Sequence, residues 1–276
     1  YPPPGEWVVE NKEIWDNWYD YLHHGKQADP RISRKAMHQL DKALLQYNLK
    51  PNESAIFEDE SGNLIAVVWE FCLSLGALHW ANKIVQENIT MLSAGSRVKT
   101  EFNFARNFED QNLPEDEKQE IHYQAALVFA LFWNLAKVFG PKEATTIDDI
   151  EGFIKDKGLY HMDTGIHGGG REQSYTVEVN GVPITFENAH LAPLQGVFAQ
   201  NYARAIHYKD QPHKWSIAWT TFRDMLKKDM GAHFYLSDYA IWIQSSSNSA
   251  TFGQPNQWHG TSLPNLPYSE KGEALL

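Results

Sequence analysis

The chain has 276 residues, enough for one large domain or two modest ones with a substantial buried core. Its 35 acidic against 24 basic residues leave a formal charge of -11, which gives no general attraction to phosphate backbones or anionic membrane surfaces. Cys72 is the single cysteine, so no intrachain disulfide forms; no apolar run approaches the roughly 20 residues of a bilayer span and no signal-like leader stands at the start, which together predict an intracellular protein.

In chain order, Ile14, Trp15, Trp18 and Leu22 recur at helical spacing and His23-His24-Gly25 ends the pattern. Asp29 as N-cap and Pro30 in the first turn open a second predicted helix, whose stripe of Ile32, Ala36, Met37, Leu40, Ala43, Leu44 and Tyr47 stops near Asn48. Residues 55–58 and 64–69 are β-favouring runs around a five-residue loop of hairpin type at 59–63. Helical patterns return at 73–88, 114–139 and 147–157, the last two stopped by Gly140-Pro141 and Gly158. A mainly helical region with a short hairpin is therefore expected over 1–157.

From Gly158 the texture changes, with glycines at 165, 168, 169 and 170 and short β runs between turn residues. Residues 174–179 and 182–187 flank Asn180-Gly181, whose tolerance of positive φ at both positions predicts a tight hairpin. Extended runs follow at 196–206, 216–222, 232–236, 240–244, 249–253 and 258–263, with 221–230 as a helical turn between two of them. Six short strands in succession predict a barrel or sandwich over 158–276.

Most of the twelve His residues suit structural roles, among them His23, His24, His38, His79 and His122. The segment from Arg204 to Trp215 differs, because His207, Asp210 and His213 put two imidazoles and a carboxylate in the turn between two β runs. Two His and one carboxylate on one face are the donor set of non-haem Fe(II). His259, in Trp258-His259-Gly260-Thr261, opens the last extended run, and barrel strands can return a chain to the same rim. His161-Met162-Asp163 ranks second, as part of a lid with His167 and Gly168 to Gly170. Glu187 and Asp238 are a candidate hydrolytic carboxylate pair, and the ten Trp suit a large core or a carbohydrate groove. The sequons at Asn52-Glu53-Ser54 and Asn88-Ile89-Thr90 would matter only in a secretory protein.

With Gly231-Ala232-His233-Phe234-Tyr235-Leu236 and the closing His259-Gly260-Thr261, residues 196–276 resemble the double-stranded β-helix superfamily of Fe(II)/2-oxoglutarate oxygenases. Within it they look closest to fungal members distantly similar to the TET/JBP branch. The resemblance implies an α+β protein, its helical N-terminal part packed on a jelly-roll-like double-stranded β-helix. His207 would end the second core strand, 216–222, 232–236, 240–244 and 249–253 would be the third to sixth, and His259 would open the seventh.

It also implies His207, Asp210 and His259 as metal ligands, with His213 able to replace Asp210, and Lys271, Arg204 and Thr261 around 2-oxoglutarate. Two departures stand out: the usual His-x-Asp is one residue longer here, and Lys271, a point charge, stands where the family has the bidentate fork of an arginine. The implied activity is oxidation of a small-molecule or modified-base substrate, with polymeric nucleic acid disfavoured by charge and no membrane partner. The departures favour a second reading, a catalytically inactive binding module on the same fold. A carbohydrate-active hydrolase is the third.

Overall fold

A computed structural model describes residues 7–9, 37–39, 41–70, 73–92, 99–103, 114–140, 145–158, 172–179, 181–190, 195–200, 204–223, 231–262 and 274–275. In chain order the elements are β1 (Trp7–Val9), β2 (Met37–Gln39), a 3-10 turn (Lys42–Leu44), β3 (Tyr47–Leu49), β4 (Ala55–Glu58), β5 (Leu64–Glu70), α1 (Leu75–Leu92), β6 (Lys99–Asn103), α2 (Glu115–Phe139) and α3 (Thr146–Asp156). Then come β7 (Glu172–Val179), β8 (Val182–His190), β9 (Gln195–Gln200), β10 (Arg204–His207), β11 (Ser216–Phe222), β12 (Phe234–Leu236), a 3-10 turn (Ser237–Tyr239), β13 (Ile241–Ile243), β14 (Ser249–Gly253), β15 (His259–Thr261) and β16 (Ala274–Leu275). The protein is α+β, and its chain divides into two compact units, one made of Tyr1–Glu70 with Gln200–Leu275, the other of Phe71–Ala199.

In the first unit, one sheet runs β10-β15-β12-β13-β3, antiparallel except for the parallel β13–β3 pair. A second runs β4-β5-β14-β11-β16, antiparallel throughout. Among the described residues both sheets stay open and do not close into the expected barrel. Their inner faces meet in an apolar core of Leu49, Phe57, Ile65, Ala66, Val68, Leu236, Ile241 and Ile243. The pairing is nested: β12 with β13, β11 with β14, and β10 with β15, around a turn in which Ala240 takes a left-handed φ of 51°. Each arm of this long hairpin switches sheet at every step.

The loop 244–248 ties the strands together at one end. Gln244 N donates to Leu49 O (3.0 Å), Ser245 N to His233 Nδ1 (3.1 Å) and Asn248 N to Thr220 O (2.7 Å). Ser247 Oγ accepts from Arg223 N (2.7 Å), and Ser246 Oγ donates to Glu70 Oε1 (2.7 Å). Consecutive residues thus hold different elements, each satisfying a backbone or carboxylate group that would be costly to leave unpaired. Burial raises the carboxyl of Glu70 above its ordinary value, opposed by the Ser246 hydrogen bond.

The second unit carries the helices. α2 keeps the expected bounds, with Pro114 as N-cap and Gly140 N donating to Ala136 O (3.0 Å). From Ala125 to Trp133 every side chain is buried, as in a helix packed on all sides. It packs on α1 and on the β7–β8 hairpin, Phe129 stacks on Phe198 of β9 (4.7 Å, 14°), and Lys137 pairs with Glu151 of α3 at 2.6 Å. β9 pairs antiparallel with β6. α3 buries Thr146, Ile150 and Ile154 at four-residue spacing, with Asp148 and Asp149 at its positive end and Lys155 at its negative end. Among the described residues no helix is long and apolar enough to cross a membrane.

The expected helix over 29–48 is corrected. Its second half forms β2, a 3-10 turn and β3, because Tyr47–Leu49 adds to the edge of β13 and buries Leu49 in the core, while Leu44 of the supposed apolar stripe is 74% exposed. The pattern at 14–22 and most of the 221–230 turn lie outside the described residues. Neither β6 nor β16 was expected. Of the two sequons, Asn88 is buried in α1 with its amide donating to Ile84 O, which rules it out as an acceptor in the folded protein, while Asn52 sits on an exposed turn.

Folded Glu70 holds its proton more tightly than the unfolded chain does, so its contribution favours folding at low pH and is lost as pH rises through its folded value. Glu70→Gln, which keeps a carbonyl acceptor for Ser246, should therefore be more stable than the parent near pH 7.5, by less than about 1 kcal/mol for a part-exposed group. Urea melts of both proteins should show the gap closing toward about pH 4.5, in the ordinary carboxylate range. A gap that widens on acidification would contradict this role.

Candidate functional site

Cross-strand partners share a face of a sheet, so the registers locate the imidazoles. One row reads His207, His259, Leu236, Ile241 and Tyr47, and the next reads Arg204, Thr261, Phe234, Ile243 and Leu49. Leu236, Ile241, Ile243 and Leu49 are core residues, which puts His259 and its partner His207 on the same inner face. Their rings lie 4.3 Å apart at 54°, and Phe234 approaches His259 at 5.8 Å. Between the two rungs β10 bulges, with three residues advancing on β10 against two on β15. Such an extra residue re-aims the strand end that follows it.

On the facing sheet, Val68 of the core pairs with Thr251 and Thr251 with Ala218, so both belong to the inner face. Ala218 is nonetheless exposed and Thr251 half-buried. The apolar filling of this sheet therefore thins toward Thr251 and Ala218, both small residues.

The approach to His259 is fixed by a chain of hydrogen bonds. Trp258 N donates to Asp238 Oδ2 (2.9 Å), Ser237 N to Trp258 O (2.8 Å) and Gln257 Nε2 to Tyr239 Oη (3.2 Å). The His259 Nδ1 atom lies 2.7 Å from the Gln257 carbonyl oxygen. A carbonyl only accepts, so Nδ1 carries the proton, and in the neutral ring Nε2 is then the basic nitrogen, the form in which imidazole binds a metal. Opposite, Lys209 N donates to Pro255 O (2.7 Å), tying the chain after β10 to the loop before β15.

The other expected residues sit as follows. Asp210 is exposed three positions past His207, His213 is half-buried before β11, and Thr261 is 7% exposed on β15. Arg204 is paired by its backbone with Thr261. Lys271, His161, Asp163 and His167 lie outside the described residues. Among the described residues no three His, Cys, Asp or Glu side chains are grouped so as to hold a metal ion. Asp238 is engaged with the Trp258 amide, and Glu187 belongs to β8 in the other unit. His233, inside the segment used for the resemblance, is 1% exposed, and Arg223 beside it donates to Gly231 O and Ala232 O. Sequence reasoning missed the Gln257 carbonyl and the Asp238 anchor; only the adjacency of Asp238 to a turn and of Trp258 to His259 could have hinted at them.

No family model matches the chain, and no curated protein matches it. Among solved structures it is similar to NgTET1 in complex with 5mC DNA, at 10% identity and a TM-score of 0.49, covering 83% of this chain and 75% of that one. A likeness of this order fixes neither family nor activity.

The hydrogen bond to Gln257 makes a spectroscopic prediction. Long-range 15N–1H correlation should report His259 as the Nδ1–H tautomer at neutral pH, and Asp238→Ala, which frees the Trp258 amide, should shift it toward a tautomer mixture at a stability cost of about 1 kcal/mol. An Nε2–H signal in the parent would sink the assignment.

Proposed function

We propose that the chain is a non-haem Fe(II)- and 2-oxoglutarate-dependent dioxygenase built on a double-stranded β-helix. The observation that carries this reading is the His207–His259 rung on the inner face. The nested pairing of β10 to β15, alternating between two sheets, supports the fold name: it is a hairpin wound into a helix, with each arm contributing one strand per turn.

The fit to a metal is two donors of three. His207 and His259 present adjacent imidazoles, and His259 has the tautomer a metal requires. Asp210 or His213, both just beyond His207, is the proposed third ligand. Arg204 and Thr261 occupy the next rung, with Lys271 as the proposed carboxylate partner. Two residues along β15 rise about 7 Å, comparable with the length of a five-carbon diacid. Iron in such a set, with 2-oxoglutarate as co-substrate, supplies oxidation of a substrate C–H bond. The chain's own part is to orient both imidazoles, hold the diacid and keep the reacting end of the sheets accessible.

One observation favours a second reading, a binding module that keeps the fold without the chemistry: the described residues gather no third ligand. Metal analysis of protein purified without chelator separates the two. The oxygenase reading expects about one iron per chain, affinity lowered at least about 100-fold in His207→Ala and in His259→Ala, and succinate formed from 2-oxoglutarate without any added substrate. Metal-free protein that binds no added Fe(II) and forms no succinate would leave the binding module. Glycoside cleavage that survives chelation would point to a hydrolase.

A further inference from the structure

Just beyond the His207–His259 rung, the next residue on β10's side and the preceding one on β15's side are both aromatic and both exposed, Tyr208 at 56% and Trp258 at 44%. Their rings meet at 4.8 Å with planes 71° apart. Single exposed aromatics are ordinary, but these two are adjacent and their backbones are fixed, Trp258 by Asp238 and Ser237, and the chain after Tyr208 by the Lys209–Pro255 bond. A rigid aromatic pair left in water binds rings at little ordering cost.

We propose that the Tyr208–Trp258 corner binds a planar aromatic group that carries no polyanionic tail. In an edge-to-face pair, one ring stands with its edge against the other's face. A third ring lying parallel to the first then presents its own edge to that same face, gaining a stacked and an edge-to-face contact together. A pyranose has no π system and can only lie flat on one ring. Charge disfavours a phosphodiester chain: the protein carries -11 overall, and the Asp238 carboxylate is held on the Trp258 amide. Calling the bound ring a substrate rests on the oxygenase reading; its binding does not.

Ligand-observed NMR on the full chain in EDTA, so that iron plays no part, tests this with indole, methyl glucoside and a short single-stranded oligodeoxynucleotide. Indole should bind the parent, and Tyr208→Leu and Trp258→Leu, which keep an apolar surface and the fold, should each weaken it about fivefold, within the range of one aromatic pair contact. Circular dichroism melts confirm that both variants are folded. Indole binding unchanged by both substitutions, no binding up to about 10 mM indole, or tighter binding of the glucoside or the oligonucleotide would overturn the proposal. Iron retention is read separately, so failure of the metal reading leaves this result standing.

Discussion

Three residues of β15, wedged between β10 and β12, set the geometry on which everything else in the first unit depends. Pairing with β12 aligns His259 with core residue Leu236, and pairing with β10 brings His207 to its side. Neither contact is local in sequence. A slip of one residue in either ladder would turn the imidazole to the opposite face, because side chains alternate along a strand. The anchoring at 237–239 and 257–258 matters for this reason: it pins the register of a strand too short to pin itself.

Much of this was legible before any coordinates. The strands at 216–222 and 249–253 appear with the expected bounds, and β12, β13 and β15 fall inside the expected runs. The helices at 114–139 and 147–157 are found within a residue of their expected ends, because Pro, Gly and acidic first turns act locally. What failed was non-local. The stripe at 32–47 has helical spacing, yet β3 takes the free edge of β13, an edge invisible from residues 40–49 alone. Likewise β16, two residues long, exists only by pairing with β11.

For the site, legibility was of a similar kind. Residue type and order brought His207 and His259 forward, and they are neighbours. Sequence spacing made Asp210 the natural third donor, yet the bulge before His207 changes how the chain leaves β10, a feature without a signature in Arg-Ala-Ile-His. Hydrogen bonds to backbone groups, such as Gln257 O to His259, depend on loop path rather than residue identity, so no pattern announces them.

The loop 244–248 has its attachments at the end of the first unit away from the imidazoles: Leu49, His233, Glu70, Arg223 and Thr220 all lie by the strand ends opposite to His207 and His259. The clasp and the imidazole pair thereby lie at different poles of the unit. Side chains at 210–213 could be exchanged, adding or removing a polar group beside the imidazoles, while the clasp at the other pole and the register anchor at 257–258 stayed in place. Scaffolds divided in this way are well suited to drift between catalyst and receptor.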